Sequence, residues 1–351
     1  MLCKVSLVNT VIKKKLLILS KELPPEVGGA GIVADTIYKG LKQKGIDVVV
    51  SKLNKEGKIL KVLITFKYIL LSFNFSTVLL NDLYFKKVWM ILFRGRLSSR
   101  CLIYLHGSEP EFLILNDKYR KLFFRLCLNS KRVVAVSHYM RQKFLASIDD
   151  KKLKSQLEKK IVVIRNGVDT TLFNNQRKRS LKKSLNFVTA SRLVKEKGYL
   201  SIAKQLKRII EVSKKELIWH IAGAGPDEIL IKNIIEAHEL TPYVKFHGAL
   251  KQNELADLYN QCDVFILLSE LKESLGLVYM EASCCGCYSI GFNSYGVKEA
   301  IIHKGTGNLI NSVDDLYDIL EKVDFEPYNV SELAKKTYSS SIMLQKVEQL
   351  L

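Results

Sequence analysis

Two carboxylates stand eight positions apart in Glu273-Ser274-Leu275-Gly276-Leu277-Val278-Tyr279-Met280-Glu281, soon after the apolar run Val264-Phe265-Ile266-Leu267-Leu268. The run predicts a buried parallel strand, Ser269 to Glu273 a polar loop, and Leu275 to Ser283 a helix. A strand–loop–helix unit aims the unpaired N–H groups and positive dipole end of its helix at whatever lies beyond the strand. Phosphates collect at such a point. Glu273 on the loop and Glu281 about two turns into the helix fall on one side, so both can face one ligand. On spacing alone, a capping Glu beside an unrelated surface Glu is the simpler alternative.

Other groups with chemistry stand at the ends of apolar runs. In Ser191-Arg192-Leu193-Val194-Lys195-Glu196-Lys197-Gly198, Arg192 and Lys197 are two cations at a strand end, suited to a diphosphate. Gly28-Gly29-Ala30-Gly31 follows the first strand, where missing side chains let backbone N–H groups approach a phosphate. Three glycines in a loop are also simply a turn. His106-Gly107 closes the run Cys101–Leu105, and a lone His there is either a ligand contact or a satisfied core residue. Arg165-Asn166-Gly167-Val168-Asp169, Ala222-Gly223-Ala224-Gly225-Pro226 and His247-Gly248 each follow a strand candidate. Cys284, Cys285 and Cys287 have no His or further Cys at ligand spacing, and read as buried thiols rather than a metal site.

These groups must be positioned by an alternation of strands and helices. Strands are predicted at 16–20, 47–51, 77–80, 101–105, 133–136 and 161–164, with a helix over 32–44. A second series follows at 187–190, 217–222, 244–246, 264–268 and 288–290. Alternation of this kind argues for parallel, helix-covered sheets. With 351 residues there is length for two such doubly wound α/β domains, whose carboxyl strand ends would face a cleft between them. The boundaries read as 1–175 for the first domain, 176–185 for a cationic linker, 186–330 for the second domain and 331–351 for a terminal helix.

Composition excludes several classes. A 48% apolar and 26% charged chain is globular rather than disordered. The Leu- and Ile-rich stretch 59–93 is interrupted by Lys61, Lys67, Asp82, Lys86 and Lys87, so it does not read as a spanning helix. The first twelve residues lack a signal-peptide pattern, and the chain is expected in the cytoplasm. Charge is divided unevenly. Residues 1–183 carry 37 Lys and Arg against 13 Asp and Glu, and residues 184–351 carry 18 against 22. A basic half joined to a slightly acidic half implies that one domain faces a polyanion, an anionic membrane leaflet or a nucleic acid. A general lysine bias would give the same excess.

The ordered set of motifs resembles the GT-B-fold retaining glycosyltransferases of family 4. It spans roughly residues 15–345 and is densest over 187–310, where Arg192 with Lys197 and Glu273 with Glu281 are its most specific parts. The resemblance implies two Rossmann-like domains and a nucleotide diphosphate-sugar bound across the cleft. It further implies that Glu281 accepts hydrogen bonds from ribose hydroxyls and that Arg192 and Lys197 hold the diphosphate as it departs. Backbone groups at Gly276 and Leu277 would meet the donor, Glu273 the sugar hydroxyls, Gly29 the distal phosphate and His106 the donor sugar. Gly223, Gly248 and Asn166 are expected in the donor-binding set as well.

No metal or other cofactor is expected, because Asp-X-Asp is absent: Asp149-Asp150 and Asp314-Asp315 have the wrong spacing. The expected partners are a nucleotide-sugar donor, a saccharide or lipid-linked acceptor and an anionic membrane surface at the inner face, with no nucleic acid. Two departures from the family pattern stand out. Ser274-Leu275-Gly276-Leu277-Val278 lacks the usual aromatic and proline, and Tyr288 occupies a position where the family often has proline. A 2-epimerase-like sugar-nucleotide enzyme and a basic nucleic-acid-binding protein are the alternative readings.

Overall fold

A computed structural model describes residues 14–21, 23, 29–51, 53, 58–107, 109–115, 117–176, 185–212, 216–322 and 324–351. The first unit alternates β1 (Lys15–Leu19), α1 (Gly29–Gln43), β2 (Asp47–Val50), α2 (Lys58–Leu71), β3 (Thr77–Leu80) and α3 (Leu83–Phe93). It continues with β4 (Cys101–Leu105), α4 (Asp117–Asn129), β5 (Arg132–Ala135), α5 (His138–Ala146), α6 (Lys151–Glu158) and β6 (Ile161–Val163). Its six strands are all parallel, in the order β2-β1-β3-β4-β5-β6. Leu16 to Leu19 and Cys101 to Leu105 are fully buried. That is why these strands read as unbroken apolar runs: a parallel sheet with helices on both faces has no wet side.

The second unit runs β7 (Leu185–Ala190), α7 (Tyr199–Val212), β8 (Leu217–Ala222), α8 (Glu228–Ala237), β9 (Val244–Gly248), α9 (Gln252–Tyr259) and β10 (Val264–Leu267). It ends with α10 (Leu277–Cys284), β11 (Tyr288–Phe292), α11 (Val297–Ala300), β12 (Gly307–Ile310) and α12 (Asp315–Lys322). Its parallel order is β12-β11-β10-β7-β8-β9. Strand order therefore reverses between β7 and β10, which are neighbours although about eighty residues apart in sequence. Ligands bind at such a switch point, outside the carboxyl ends of the strands. Each of the eleven strands expected from the sequence is present. β12 was not expected, since Gly307-Asn308-Leu309-Ile310 is too short and mixed to signal a strand.

The C-terminal segment forms two helices, α13 (Pro327–Tyr338) and α14 (Ser340–Gln349), rather than one helix over 331–351. The break has a local cause. The Val168 N–H donates to the Tyr338 carbonyl and the Ser340 N–H to the Val168 carbonyl, both at 2.7 Å. Backbone groups needed to carry the helix through Ser339 are thus taken by the strand-like segment at Val168. α13 lies against α10, where Ser331 Oγ donates to the Cys284 carbonyl at 2.6 Å. α14 packs on α1 of the first unit, and Met343, Leu344 and Val347 join that unit's core. Most of the expected linker, residues 177–184, lies outside the described residues.

Candidate active site

The site is assembled first at the switch point of the second sheet. The loops after β7 and β10 lie side by side because Gly198, at φ +82°, lets the backbone approach the Leu268 carbonyl. A Cβ at Gly198 would stand 2.2 Å from that oxygen. The proximity brings Lys197 Nζ to 2.5 Å from Glu273 Oε1, which also accepts from Ser269 Oγ at 2.8 Å. Arg192, on the same loop as Lys197, is exposed and has no ion-pair partner among the described residues. The loop after β7 thus carries one cation committed to Glu273 and one without an ion-pair partner among the described residues.

α10 opens just after Glu273. Gly276 is its N-cap at φ 92°, and Leu277 is its first residue. Among the described residues the N–H groups of Gly276 and Leu277 have no protein acceptor. They form the electropositive end of that helix. Glu281, one turn further, is 5% exposed and makes no side-chain hydrogen bond among the described residues. Burial pushes its carboxyl up to about 7. A buried carboxylate without a donor is costly, so one that persists marks a place where a ligand can supply hydroxyl donors. Beside the loop a pocket of about 180 Å³ is lined by Ser269, Glu270, Asn293 and Tyr295 among others.

The first unit supplies the opposite wall. Asn81, after β3, donates from Nδ2 to the Ala30 carbonyl at 2.9 Å, which fixes which way its amide points. Its Oδ1 then faces His106 Nε2 at 2.8 Å. Because Oδ1 can only accept, Nε2 carries the proton and Nδ1 is left as an acceptor. Burial, reinforced by the Lys86 charge, lowers the His106 pKa to about 4, so the ring is neutral at physiological pH. Behind it Glu109 is buried against Lys86, Nζ to Oε1 at 2.5 Å, and accepts from the His106 and Gly107 N–H groups at 2.9 to 3.2 Å. Burial alone would raise the Glu109 carboxyl. The adjacent Lys86 charge and these hydrogen bonds prevail and hold it down near about 2.

The two walls touch. A Cβ on Gly107 would stand 1.9 Å from Ser274 Oγ, and Ser137 Oγ donates to the Ser274 carbonyl at 2.5 Å. His106 and Glu273 are the immediate neighbours of that contact pair. Glu299 of α11 accepts from the His138 and Tyr139 N–H groups at the start of α5 at 3.0 and 2.8 Å, and from Arg165 Nε at 3.1 Å. A carboxylate of the second unit thus caps a helix of the first. His106 of the first unit and Glu273 of the second thus each adjoin the contact between the units.

Other sequence-predicted residues sit differently. Gly29 is the first residue of α1, so the glycine stretch read as a loop is helical from there, while Gly28 lies outside the described residues. Gly223, expected in the donor-binding set, donates its N–H to the Gly248 carbonyl at 2.7 Å. Gly223 instead permits packing: at φ 139° a Cβ would be 1.9 Å from the Ser191 carbonyl oxygen. It therefore positions the Arg192 loop. Gly248 takes φ 66° beside a register shift in β8–β9 and has open space around it. Asn166 is buried with Oδ1 unsatisfied, and the adjoining Gly167 packs against Ser340 and Met343 at the helix break. Its segment belongs to the crossing between units. Asn81, Lys86, Glu109, Ser137 and Glu299 were not singled out from sequence. The first strand-end pair, Asn81-Asp82 directly after Thr77–Leu80, was a usable signal; the others carried none.

The six described cysteines are buried, and Cys287 Sγ donates to the carbonyls of Tyr259 and Cys262. Among the described residues no group of three or more His, Cys, Asp or Glu is arranged to hold a metal ion. Nor is any described helix long and apolar enough to cross a membrane.

Comparison with known families agrees with this fold. Residues 52–172 match the Glycosyltransferase Family 4 model, and residues 172–330 match the Glycosyl transferases group 1 model. The fold matches Anabaena HepE in complex with UDP and glucose, with a TM-score of 0.71 at 18% identity over 96% of this chain and 98% of that one. The chain belongs to the GT-B-fold glycosyltransferases of the family 4 and group 1 type.

Among its relatives is the Streptococcus pneumoniae UDP-N-acetylglucosamine–peptide N-acetylglucosaminyltransferase GtfA subunit, 35% identical over 46% of this chain and 31% of the relative. Another is the Mycobacterium tuberculosis GDP-mannose-dependent alpha-(1-6)-phosphatidylinositol monomannoside mannosyltransferase, 29% identical over 66% of this chain and 62% of the relative. The chain spans less than two thirds of the length of either.

Proposed function

We propose that the protein transfers a sugar, with retention of anomeric configuration and without a metal ion, from a nucleotide diphosphate-sugar to a lipid-linked glycan or other cell-envelope saccharide precursor. The observation that carries this reading is the ion pair between Lys197 and Glu273, with Arg192 on the same loop as Lys197 and the N-terminus of α10 just after Glu273. Transfer breaks the bond between the anomeric carbon and the distal phosphate oxygen and forms one from that carbon to an acceptor hydroxyl oxygen, whose proton passes to the departing diphosphate. Negative charge accumulates on the distal phosphate as the bond breaks. Fixed cations and helix N–H groups stabilise such charge without reorganising at the moment of reaction. Arg192 and Lys197 supply the cations, Gly276 and Leu277 the N–H groups, and Glu273 orients Lys197 while facing the sugar. The buried Glu281 takes the ribose hydroxyls. Neutral His106 offers Nδ1 to a sugar hydroxyl, a role that needs no proton transfer.

The acceptor class rests on the +24 balance of residues 1–183 and on relatives such as the mannosyltransferase named above. A panel of UDP- and GDP-sugars screened by thermal shift, with and without a chelator, tests the donor, since a ligand of the folded state raises its melting temperature. Turnover with the stabilising donor should fall by 10²-fold or more in Lys197→Met or Arg192→Met at saturating donor, in the range seen when such electrostatic groups are removed. An inverted product, a strict Mg²⁺ requirement or unchanged turnover would each defeat the proposal.

A further inference from the structure

We propose that the outer face of α2 is a membrane-docking surface that inserts into an anionic lipid leaflet; this deepens the proposed action on a lipid-linked acceptor. The inner stripe of α2 is conventional: Thr65 and Ile69 are buried, and Thr65 Oγ1 meets Tyr84 Oη of α3 at 2.9 Å. Its opposite side is where a soluble helix places polar residues. Here that side carries Ile59, Val62, Leu63, Phe66 and Leu70, each 54–79% exposed. Their spacing of three and four residues makes one continuous apolar stripe.

The stripe continues beyond the helix. Phe73 is half exposed and meets the Phe93 ring at the end of α3, 6.1 Å between centroids. Ile91 and Leu92 at that same end, and Leu97 just after it, are 50–58% exposed. Contiguous apolar surface on this scale marks an interaction site rather than ordinary scatter.

Charge selects the occupant. From residue 58 to 107 there are eight Lys and Arg, of which Lys86 is buried against Glu109, and the one acid is Asp82, which is spent as the N-cap of α3. Lys67, Arg94 and Arg96 are exposed along the stripe and at its end. Apolar side chains flanked by cations without acids suit the boundary between acyl chains and anionic headgroups, where a helix lies in the interface plane. The right-handed crossover from β2 to β3 runs α2 antiparallel to the strands, so its start lies toward the carboxyl strand ends, on the cleft side. A docked α2 would hold the cleft at the leaflet, where a lipid-linked acceptor resides.

The test uses the full chain and vesicles of phosphatidylcholine alone or with 30 mol% phosphatidylglycerol. The double variant Val62→Glu/Phe66→Glu alters two exposed positions, and a nucleoside diphosphate titration by calorimetry reports that the folded site persists. The wild type should partition onto anionic vesicles at low salt and at least tenfold less onto neutral ones. The double variant should lose at least tenfold of the anionic partitioning while nucleotide affinity is unchanged. An environment-sensitive dye at Leu63→Cys should shift to the blue on the same vesicles. Equal partitioning of wild type and variant, or no partitioning by the wild type, overturns the proposal. So does a wild-type dimer in sedimentation that becomes monomeric in the variant while neither binds vesicles, which would make the face a subunit interface. Loss of nucleotide binding in the wild type would refute the proposed activity instead, and leaves the vesicle result to be read separately.

Discussion

Replacing Glu281 with Gln removes a buried carboxyl at nearly constant volume, and the structure sets how much that should matter at each pH. The side chain is buried without a partner among the described residues, and burial raises its pKa from 4.5 to about 7. Between those values the folded chain holds a proton that the unfolded chain has released. The group's stabilising contribution is therefore fully present below pH 4.5 and is lost as pH rises through about 7. At about 1.4 kcal/mol for each tenfold change in equilibrium, the difference amounts to roughly 3 kcal/mol.

Gln carries no charge at any of these pH values. Denaturant unfolding should thus find Glu281→Gln more stable than wild type by up to roughly 3 kcal/mol at pH 8, and no different near pH 4.5. Nucleotide binding should move the opposite way. An ionised carboxylate accepts from two ribose hydroxyls at once, each such bond being worth about 1.5–3 kcal/mol. Wild-type affinity for a nucleoside diphosphate should rise by about tenfold in total between pH 6 and pH 8 while the group deprotonates. The variant should bind more weakly and lack that part of the slope, the ligand's own phosphate titration being common to both. A stability difference that does not change with pH, or the same affinity slope in both proteins, would refute the reasoning.

Three further outcomes follow from packing and charge. Gly223→Ala forces a Cβ to within 1.9 Å of the Ser191 carbonyl at φ 139°, and should cost about 2 kcal/mol or more in thermal unfolding while displacing the Arg192 loop. Lys86→Met leaves Glu109 buried without its cation, an expected loss of about 3–5 kcal/mol. In that variant the His106 pKa should rise from about 4, where burial first and the Lys86 charge second hold it, and NMR titration of the ring would read the change. Glu299→Gln weakens the carboxylate that caps α5 and pairs with Arg165, so small-angle scattering should report a wider separation of the two units with little change in melting temperature. An unchanged radius of gyration would show that the Ser137–Ser274 and α1–α14 contacts suffice.

Much of the fold was legible in order along the chain. Buried parallel strands must be short and continuously apolar, and Thr77–Leu80, Cys101–Leu105 and Leu217–Ala222 announced themselves for that reason. β12 stayed hidden because Gly307-Asn308-Leu309-Ile310 is a four-residue edge strand in which only Gly307 and Ile310 are buried. The break between α13 and α14 was equally hidden. Helical periodicity runs unbroken through Ser339, and the backbone at Val168, 171 residues upstream, is what interrupts it.

For the site, sequence alone determined which residues could do the chemistry: cations at one strand end, carboxylates at another, a histidine at a third. Their types and spacings are local properties, and local properties are what a sequence displays. Tertiary structure alone decided which of them meet. β7 and β10 are neighbours only because the strand order reverses between them, and that reversal is what sets Lys197 on Glu273. Gly223 donates its N–H to Gly248, and the Asn166 segment packs against the crossing between units, placements that no local pattern announced. Asn81, Glu109 and Glu299 looked ordinary, yet they orient His106 and join the two walls. Hydrogen bonds between residues tens to hundreds of positions apart leave no periodic mark on the chain, so only the folded molecule could assign them.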